Sequence, residues 1–217
     1  MFLNKRVKLL ISKILPFINI VLIYRRIKSH YTLSPNLNYA ETTQIGFPFM
    51  CTCPKNVYLG DQTRVNSGCK IITHSGRFVL KKYSAIGAGC TIITGNHIPT
   101  VGIPHFVLGH SHINDVEKDI IIEEDVWCGA NVTLLSGAHI GRGAVVGANS
   151  LVNKFIPPYA VVVGTPARII ASKFTLEQIM RHERKLYPEN ERLSYQYLSE
   201  LFSIYYKGKS SLGKDAV

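Results

Sequence analysis

A strict six-residue spacing limits what this chain can fold into more than any other feature. Ile122, Cys128, Leu134, Ile140, Val146 and Val152 follow one another at that interval. Gly follows several of these heads (Gly129, Gly141, Gly147), and Val or Ala sits four residues after most (Val126, Val132, Ala138, Ala144). No α-helix repeats every six residues, and a simple alternating strand would not place Gly so regularly. A fixed short period is the mark of a solenoid. The physical reading is a triangular β-helix, in which each hexapeptide makes one flat strand and one corner and three make a coil. The head residue points inward and stacks on the coil above. The small residue four later also points inward, and Gly near a corner tolerates backbone angles that a side chain resists. Each repeat touches only its neighbours, so the core grows along an axis.

The register extends upstream. Leu59, Val65 and Ile71 carry Thr63, Cys69 and Ser75 in the small slot; Leu80, Ile86 and Ile92 resume after a three-residue insertion, with Ser84, Cys90 and Asn96. A degenerate first coil is expected to start at Ile45-Gly46. Phase is kept from Ile92 to Ile122, yet residues 98–118 contain no repeat, so they are read as an unstructured loop thrown out of one corner. Loops that long are usually functional or disordered. Pro157-Pro158 ends the strict repeat, and Tyr159 to Gly164 reads as a last, looser coil. Thr175 to Gln178 is a capping-box pattern opening a helix, and Leu193, Tyr197, Leu201 and Tyr205 recur at a helical interval. Pro188 separates the two helices, which are expected to cap the last coil, and the tail 207–217 is expected to be mobile.

Charge is unevenly spread. Residues 1–30 hold Lys5, Arg6, Lys8, Lys13, Arg25, Arg26 and Lys28 and no acid, out of a net charge of +11. The apolar run there is broken by Lys13, Pro16 and Asn19, short of the roughly 20 residues that span a bilayer. No small-residue cleavage site follows it. Two readings remain: a basic amphipathic segment lying on an anionic membrane surface, or a helix packed across the open end of the solenoid. The basic residues do not interleave with aromatics on one face, which argues against nucleic acid. Cys69, Cys90 and Cys128 fall on inward positions as small apolar side chains. Cys51 and Cys53 form one CxC without a second pair, which is neither a zinc site nor a disulfide framework. Such usage fits a reducing compartment.

His97 is the candidate catalytic residue. It stands in Thr94-Gly95-Asn96-His97, where regular coil gives way to the loop. A side chain there is held by a rigid strand yet reachable from solvent, and histidine's ordinary pKa of about 6.5 suits proton transfer near neutrality. The plain alternative is a solvated loop histidine.

Thr94-Gly95-Asn96-His97, Glu124 to Ala130, Gly147-Ala148-Asn149-Ser150 and Gly164-Thr165-Pro166-Ala167-Arg168 together resemble the hexapeptide-repeat, left-handed parallel β-helix acetyltransferases. Within that family they are most similar to sugar O-acetyltransferases of the maltose, galactoside and nodulation-factor type and to the capsule and lipopolysaccharide acetyltransferases. The resemblance covers residues 57–170. It implies a homotrimer with active sites between solenoids, acetyl-CoA as co-substrate with no metal, and His97 as general base for direct transfer to a hydroxyl. It further implies an oxyanion site near the backbone of Trp127 to Ala130. It places Ala130 and Ala148 along the pantetheine groove, Trp127 beside the acyl group, and Asn153, Lys154 and Arg168 toward the nucleotide and its phosphates. Asn153 stands where relatives often have Thr, and Ala171 where some have Arg. For the acceptor it points to Asn66 and His74. His105, His110, His112 and Asp115 are further candidates to close over it.

The expected chain is thus an all-β solenoid, a left-handed parallel β-helix over 31–171. It follows a basic helical segment over 1–30 and carries a helical cap and tail over 172–217. Its expected work is acetylation of a saccharide hydroxyl in surface polysaccharide or lipopolysaccharide modification, in the cytoplasm or peripherally at the inner membrane face through residues 1–28. An amino-sugar N-acetyltransferase is one alternative. A metal-dependent, carbonic-anhydrase-like β-helix using the histidines is another, and a non-catalytic scaffold is a third.

Overall fold

The computed structural model describes residues 16–215. The first half of the basic segment, residues 1–15, lies outside the described residues.

Three parallel sheets form the walls of a triangular prism. The first contains β1 (Asn38–Tyr39), β4 (Val57–Leu59), β7 (Phe78–Leu80), β10 (Ile120–Ile122), β13 (His139–Ile140) and β16 (Phe155–Ile156). The second contains β2 (Gln44–Ile45), β5 (Arg64–Val65), β8 (Ala85–Ile86), β11 (Trp127–Cys128), β14 (Val145–Val146) and β17 (Ala160–Val163), then β18 (Arg168–Ser172). The third contains β3 (Met50–Cys51), β6 (Lys70–Ile72), β9 (Thr91–Ile93), β12 (Thr133–Leu135) and β15 (Leu151–Val152). The chain visits the sheets in rotation, so each edge of the prism is a stack of corners.

The six-residue heads pair with one another. Leu59, Leu80, Ile122, Ile140 and Ile156 form one ladder, and Val65, Ile86, Cys128 and Val146 the next. Ile71, Ile92, Leu134 and Val152 form the third. All are buried, and at about 25 cal/mol per Å² this stacked column is the main favourable term for the coil. Cys69, Cys90 and Cys128 are buried free thiols, and burial pushes the Cys128 thiol up.

Several expectations change. The first coil begins at Asn38, not at Ile45: Tyr39, Ile45 and Cys51 pair with Leu59, Val65 and Ile71. Ser75 and Asn96 are exposed rather than inward, because the chain leaves the coil at both positions; Thr73 and Thr94 are the buried residues there. The glycines after the heads do not relieve corner angles. A Cβ on Gly129 would lie 2.6 Å from Ala148 N, so that glycine allows neighbouring corners to stack closely. The left-handed residues come two positions later. At one edge they are Gly89, Asn131 and Asn149, with φ of 71°, 57° and 58°, the residue types that enter this region at least cost.

The loop over 98–118 is not structureless. It contains α2 (His105–Ser111), following α1 (Pro16–Tyr31) in the helix order, and Leu108 anchors it with no exposed surface. Among the described side chains helix α1 does not pack across the prism's end: Ile20, Leu22, Ile23, Tyr24 and Ile27 are all more than half exposed. Its C-terminus joins the first coil, where Phe49 N donates to His30 O and Tyr31 stacks on Phe47. No described helix is long and apolar enough to cross a membrane.

Beyond the last coil the chain reverses. Strand β18 runs antiparallel to β17, a hairpin that the repeat gave no sign of. Helix α3 (Leu176–Leu186) starts at Thr175 with the full reciprocal capping box to Gln178. Helix α4 (Tyr195–Leu201) follows and passes into a wider turn over Phe202–Tyr206. Ile179, Leu198, Leu201 and Tyr206 are buried against the coil. The tail is attached as far as Asp215: Leu212 N donates to Ser172 O, Gly213 N to Lys173 O, and Arg181 pairs with Asp215.

Asp125 ties this cap to the prism through Lys173 Nζ at 2.7 Å and His182 Nε2 at 3.0 Å. Burial raises its carboxyl, but the hydrogen bond from His182 and the Lys173 charge outweigh burial and hold it below the usual range. A carboxyl depressed from about 3.9 gives stability that is complete above that value and lost as pH falls through the folded value. Cap attachment should therefore weaken below about pH 4. Urea midpoints measured from about pH 6 to pH 3 should fall less steeply for Asp125→Asn than for the parent. Equal slopes would remove Asp125 as a cause.

Candidate active site

Two excursions leave the prism at the edge between the third and first sheets. One is the turn 73–77 after β6; the other is the loop 95–118 after β9. They are bolted together by acids from the loop's return. Glu117 Oε2 accepts from Ser75 N, Gly76 N and Thr94 Oγ1 at 2.9, 2.8 and 3.2 Å. Burial raises Glu117, and these bonds more than offset it, leaving the carboxyl low. Asp119 takes Arg77 Nη2 at 2.6 Å. Gly76 fits because a Cβ would lie 2.9 Å from Thr94 Cβ.

The bolting brings three histidines together. His74 and His112 stack with ring centroids 4.7 Å apart, and His97 lies 5.8 Å from His112. Asp115 is the hub. Its Oδ2 lies 3.0 Å from His97 Nδ1 and 2.9 Å from His112 Nδ1. The Asp115 side chain is only 8% exposed, whereas that of His97 is 46% exposed. Burial raises Asp115, but the hydrogen bonds to His112 and His97 prevail and hold it below the carboxylate range. An ionised carboxylate only accepts, so His97 carries its proton on Nδ1 and presents the Nε2 lone pair outward. That is the arrangement of a base fixed by an orienting carboxylate.

Not all the expected site residues meet here. Ala130 and Ala148 lie at a different edge, between the second and third sheets, where both are exposed and adjacent: Asn149 N donates to Ala130 O. Trp127 stands on the outer face of the second sheet, 58% exposed, between Ala85 and Val145. Arg168 opens β18, opposite Val163, and is exposed. Asn66 belongs to the Ala130 edge, with Nδ2 donating to Ile86 O, rather than to the His97 edge. Asn153 and Lys154 are exposed on the His97 edge, two coils further on. His105 and His110 are on α2, where His110 packs against Phe106. The signal for Asp115 was an acid within a histidine-rich loop, but its bond to His97 depends on a loop path that no repeat fixes.

Residues 119–154 match the bacterial transferase hexapeptide (six repeats) model. A chloramphenicol acetyltransferase of Klebsiella aerogenes is 48% identical over 115 residues, covering 48% of this chain and 55% of that protein. A galactoside O-acetyltransferase of Lactococcus lactis is 35% identical over 115 residues, covering 53% and 52%. The chain thus spans about half the length of these two curated relatives. Among solved structures, a hexapeptide-repeat-containing acetyltransferase from Vibrio cholerae is 32% identical. The match covers 63% of this chain and 72% of that one at a TM-score of 0.54. That protein has also been solved in complex with acetyl-CoA. The stacked six-residue coils, the edge histidine and this agreement over most of a relative's length identify the chain as a member of the hexapeptide-repeat acetyltransferase family.

Proposed function

We propose that the protein is an acetyl-CoA-dependent O-acetyltransferase acting on a saccharide hydroxyl, with His97 as general base in direct transfer. The observation that carries this reading is the buried Asp115 carboxylate holding His97 by Nδ1 at the solvent edge of a rigid coil. His97 Nε2 takes the proton of the acceptor hydroxyl as its oxygen attacks the thioester carbonyl. The same proton then passes to the departing thiolate sulfur, which leaves His97 neutral. Asp115 offsets the imidazolium charge between the two transfers.

The donor's place is the edge carrying Ala130 and Ala148. The corners there are small and tightly stacked, so a slender pantetheine arm can lie against the backbone; any larger side chain would fill the groove. Trp127 flanks that edge, Arg168 is an exposed cation for the phosphates, and Lys154, exposed on the His97 edge, would reach them from a neighbouring copy. Backbone N–H groups near Trp127 to Ala130 are the candidate oxyanion donors.

This edge and the His97 edge lie on opposite sides of the third sheet. Its outward side chains include Ile72, Ile93, Leu135 and Leu151, all half-buried. Packing that face against another copy would bury apolar surface and bring one chain's His97 toward the next chain's groove. A homotrimer of left-handed coils follows from the same reading. The exposed apolar side chains and basic residues of α1 support peripheral docking at the inner membrane face, with Asn66 and His74 facing the acceptor from separate copies.

A thiol-release assay with acetyl-CoA against a panel of sugars, sugar nucleotides and chloramphenicol tests the assignment. Turnover confined to the saccharides is expected. Turnover only with chloramphenicol, or only with amino-sugar amines, would replace the acceptor. Ala130→Phe should raise KM for acetyl-CoA by roughly tenfold without moving the thermal midpoint, because Ala130 is exposed. An unchanged KM would take the donor away from this edge.

A further inference from the structure

We propose that His97 Nδ1, His112 Nδ1 and Asp115 Oδ2 also form a binding site for a borderline divalent cation of the zinc class, and that occupancy silences His97. The silencing half rests on the reading of His97 as base; the binding half does not.

The three donor atoms lie within 4.8 Å of one another. Both imidazoles aim the same nitrogen at a single oxygen, at 3.0 and 2.9 Å. Each donor is held by a different part of the fold. His97 follows a strand of the third sheet. His112 caps α2 in a left-handed conformation, with φ of 51° and its N–H bonded to Leu108 O at 3.0 Å. Its ring is clamped by the parallel ring of His74. Asp115 is nearly enclosed, and its Oδ1 is buried without a partner among the described residues. An unpartnered buried carboxylate oxygen is costly, and a cation beside the same carboxylate would offset that cost.

The geometry fits with a local rearrangement of the three side chains. Zinc bonds of about 2.0–2.2 Å to nitrogen and oxygen set neighbouring donors roughly 3.3 Å apart in a tetrahedral shell. The two Nδ1–Oδ2 separations of 3.0 and 2.9 Å are a few tenths below that spacing, the two Nδ1 atoms lie within 4.8 Å of each other, and the Asp115 carboxylate would draw back from the point on which both nitrogens converge to admit the ion. The fourth position opens to solvent, since His97 and His112 are 46% and 44% exposed. Two imidazoles and one carboxylate suit zinc better than calcium or magnesium, which favour all-oxygen shells.

Binding changes the tautomer. A metal bond uses the Nδ1 lone pair, so the proton of neutral His97 moves through solvent from Nδ1 to Nε2. The ring keeps one proton and gains no charge. The lone pair that would accept the acceptor's proton is gone. Metal occupancy and base catalysis are therefore mutually exclusive at His97.

Isothermal titration of the full chain with Zn2+, in the absence of acetyl-CoA, tests the site directly. We expect one ion per chain with a Kd on the order of micromolar, and four-coordinate visible bands when Co2+ is used instead. His112→Ala and Asp115→Asn should each weaken binding at least about tenfold, while His110→Ala should leave it unchanged. Equal affinity in His112→Ala and the parent, or no stoichiometric binding, would overturn the site. Zinc bound at this affinity without slowing formation of the acetylated product would overturn the silencing. Because titration needs no turnover, its failure is separate from any failure of the transferase assignment.

Discussion

His97→Ala should lower kcat/KM for acetyl transfer by about 10²–10⁴-fold, the usual contribution of a positioned general base. That is roughly 3–5 kcal/mol of lost transition-state stabilisation. The fold should not suffer, because the His97 side chain is 46% exposed and its one hydrogen-bonded partner among the described residues is Asp115. The loss should fall on kcat, since the proton moves only in the transition state. Asp115→Asn should show an intermediate loss, on the order of tenfold or more, because an amide holds the ring less firmly and carries no counter-charge. Activity of His97→Ala within threefold of the parent would dismiss the imidazole as base.

How much of this was legible follows from what each residue answers to. The heads from Leu59 to Val152 answer to one local rule, an inward apolar side chain every sixth position, so their burial could be read from spacing. Ser75 and Asn96 obey the spacing but stand where the chain leaves the prism; departure is set by the excursions, which have no period. Tyr39 heads the first coil yet is 49% exposed, so the core gives it no aliphatic signature. Gly129 was visible as a glycine, but its purpose, close stacking on Ala148, is a contact between coils. The capping box at Thr175 is local and was readable. The β17–β18 hairpin and the docking of the tail on Ser172 are not local. At the site, His97 was marked by its place at the end of regular coil. Glu117 and Asp119 were not, because each acts across the gap between two loops.

The second large effect is on stability. Glu183→Ala should destabilise the fold by about 3–5 kcal/mol, the range for breaking a buried ion pair by removing one partner. Glu183 projects from α3 and has no exposed surface. Its Oε1 accepts from Tyr159 OH at 2.5 Å, and its Oε2 from Arg142 Nη1 and Leu193 N, each at 3.0 Å. Tyr159 belongs to the last coil and is wholly buried. Arg142 belongs to the coil below, is 13% exposed, and stacks on Tyr187 at 4.1 Å. One carboxylate thus joins the cap to two coils, and removal orphans a hydroxyl, an amide and part of a guanidinium at once. At about 2–4 °C per kcal/mol for a chain of this size, the thermal midpoint should fall by roughly 10 °C. Glu183→Gln keeps the shape and an acceptor but not the charge, and should cost about 1–3 kcal/mol. The pair Glu183→Leu with Arg142→Met should cost less than the sum of the single changes, since neither charge is then left buried alone. Urea midpoints of these variants and of the two single changes decide it: a loss below about 1 kcal/mol for Glu183→Ala would mean that the cap is held by its apolar face, through Ile179 and Leu198, and not by this clamp.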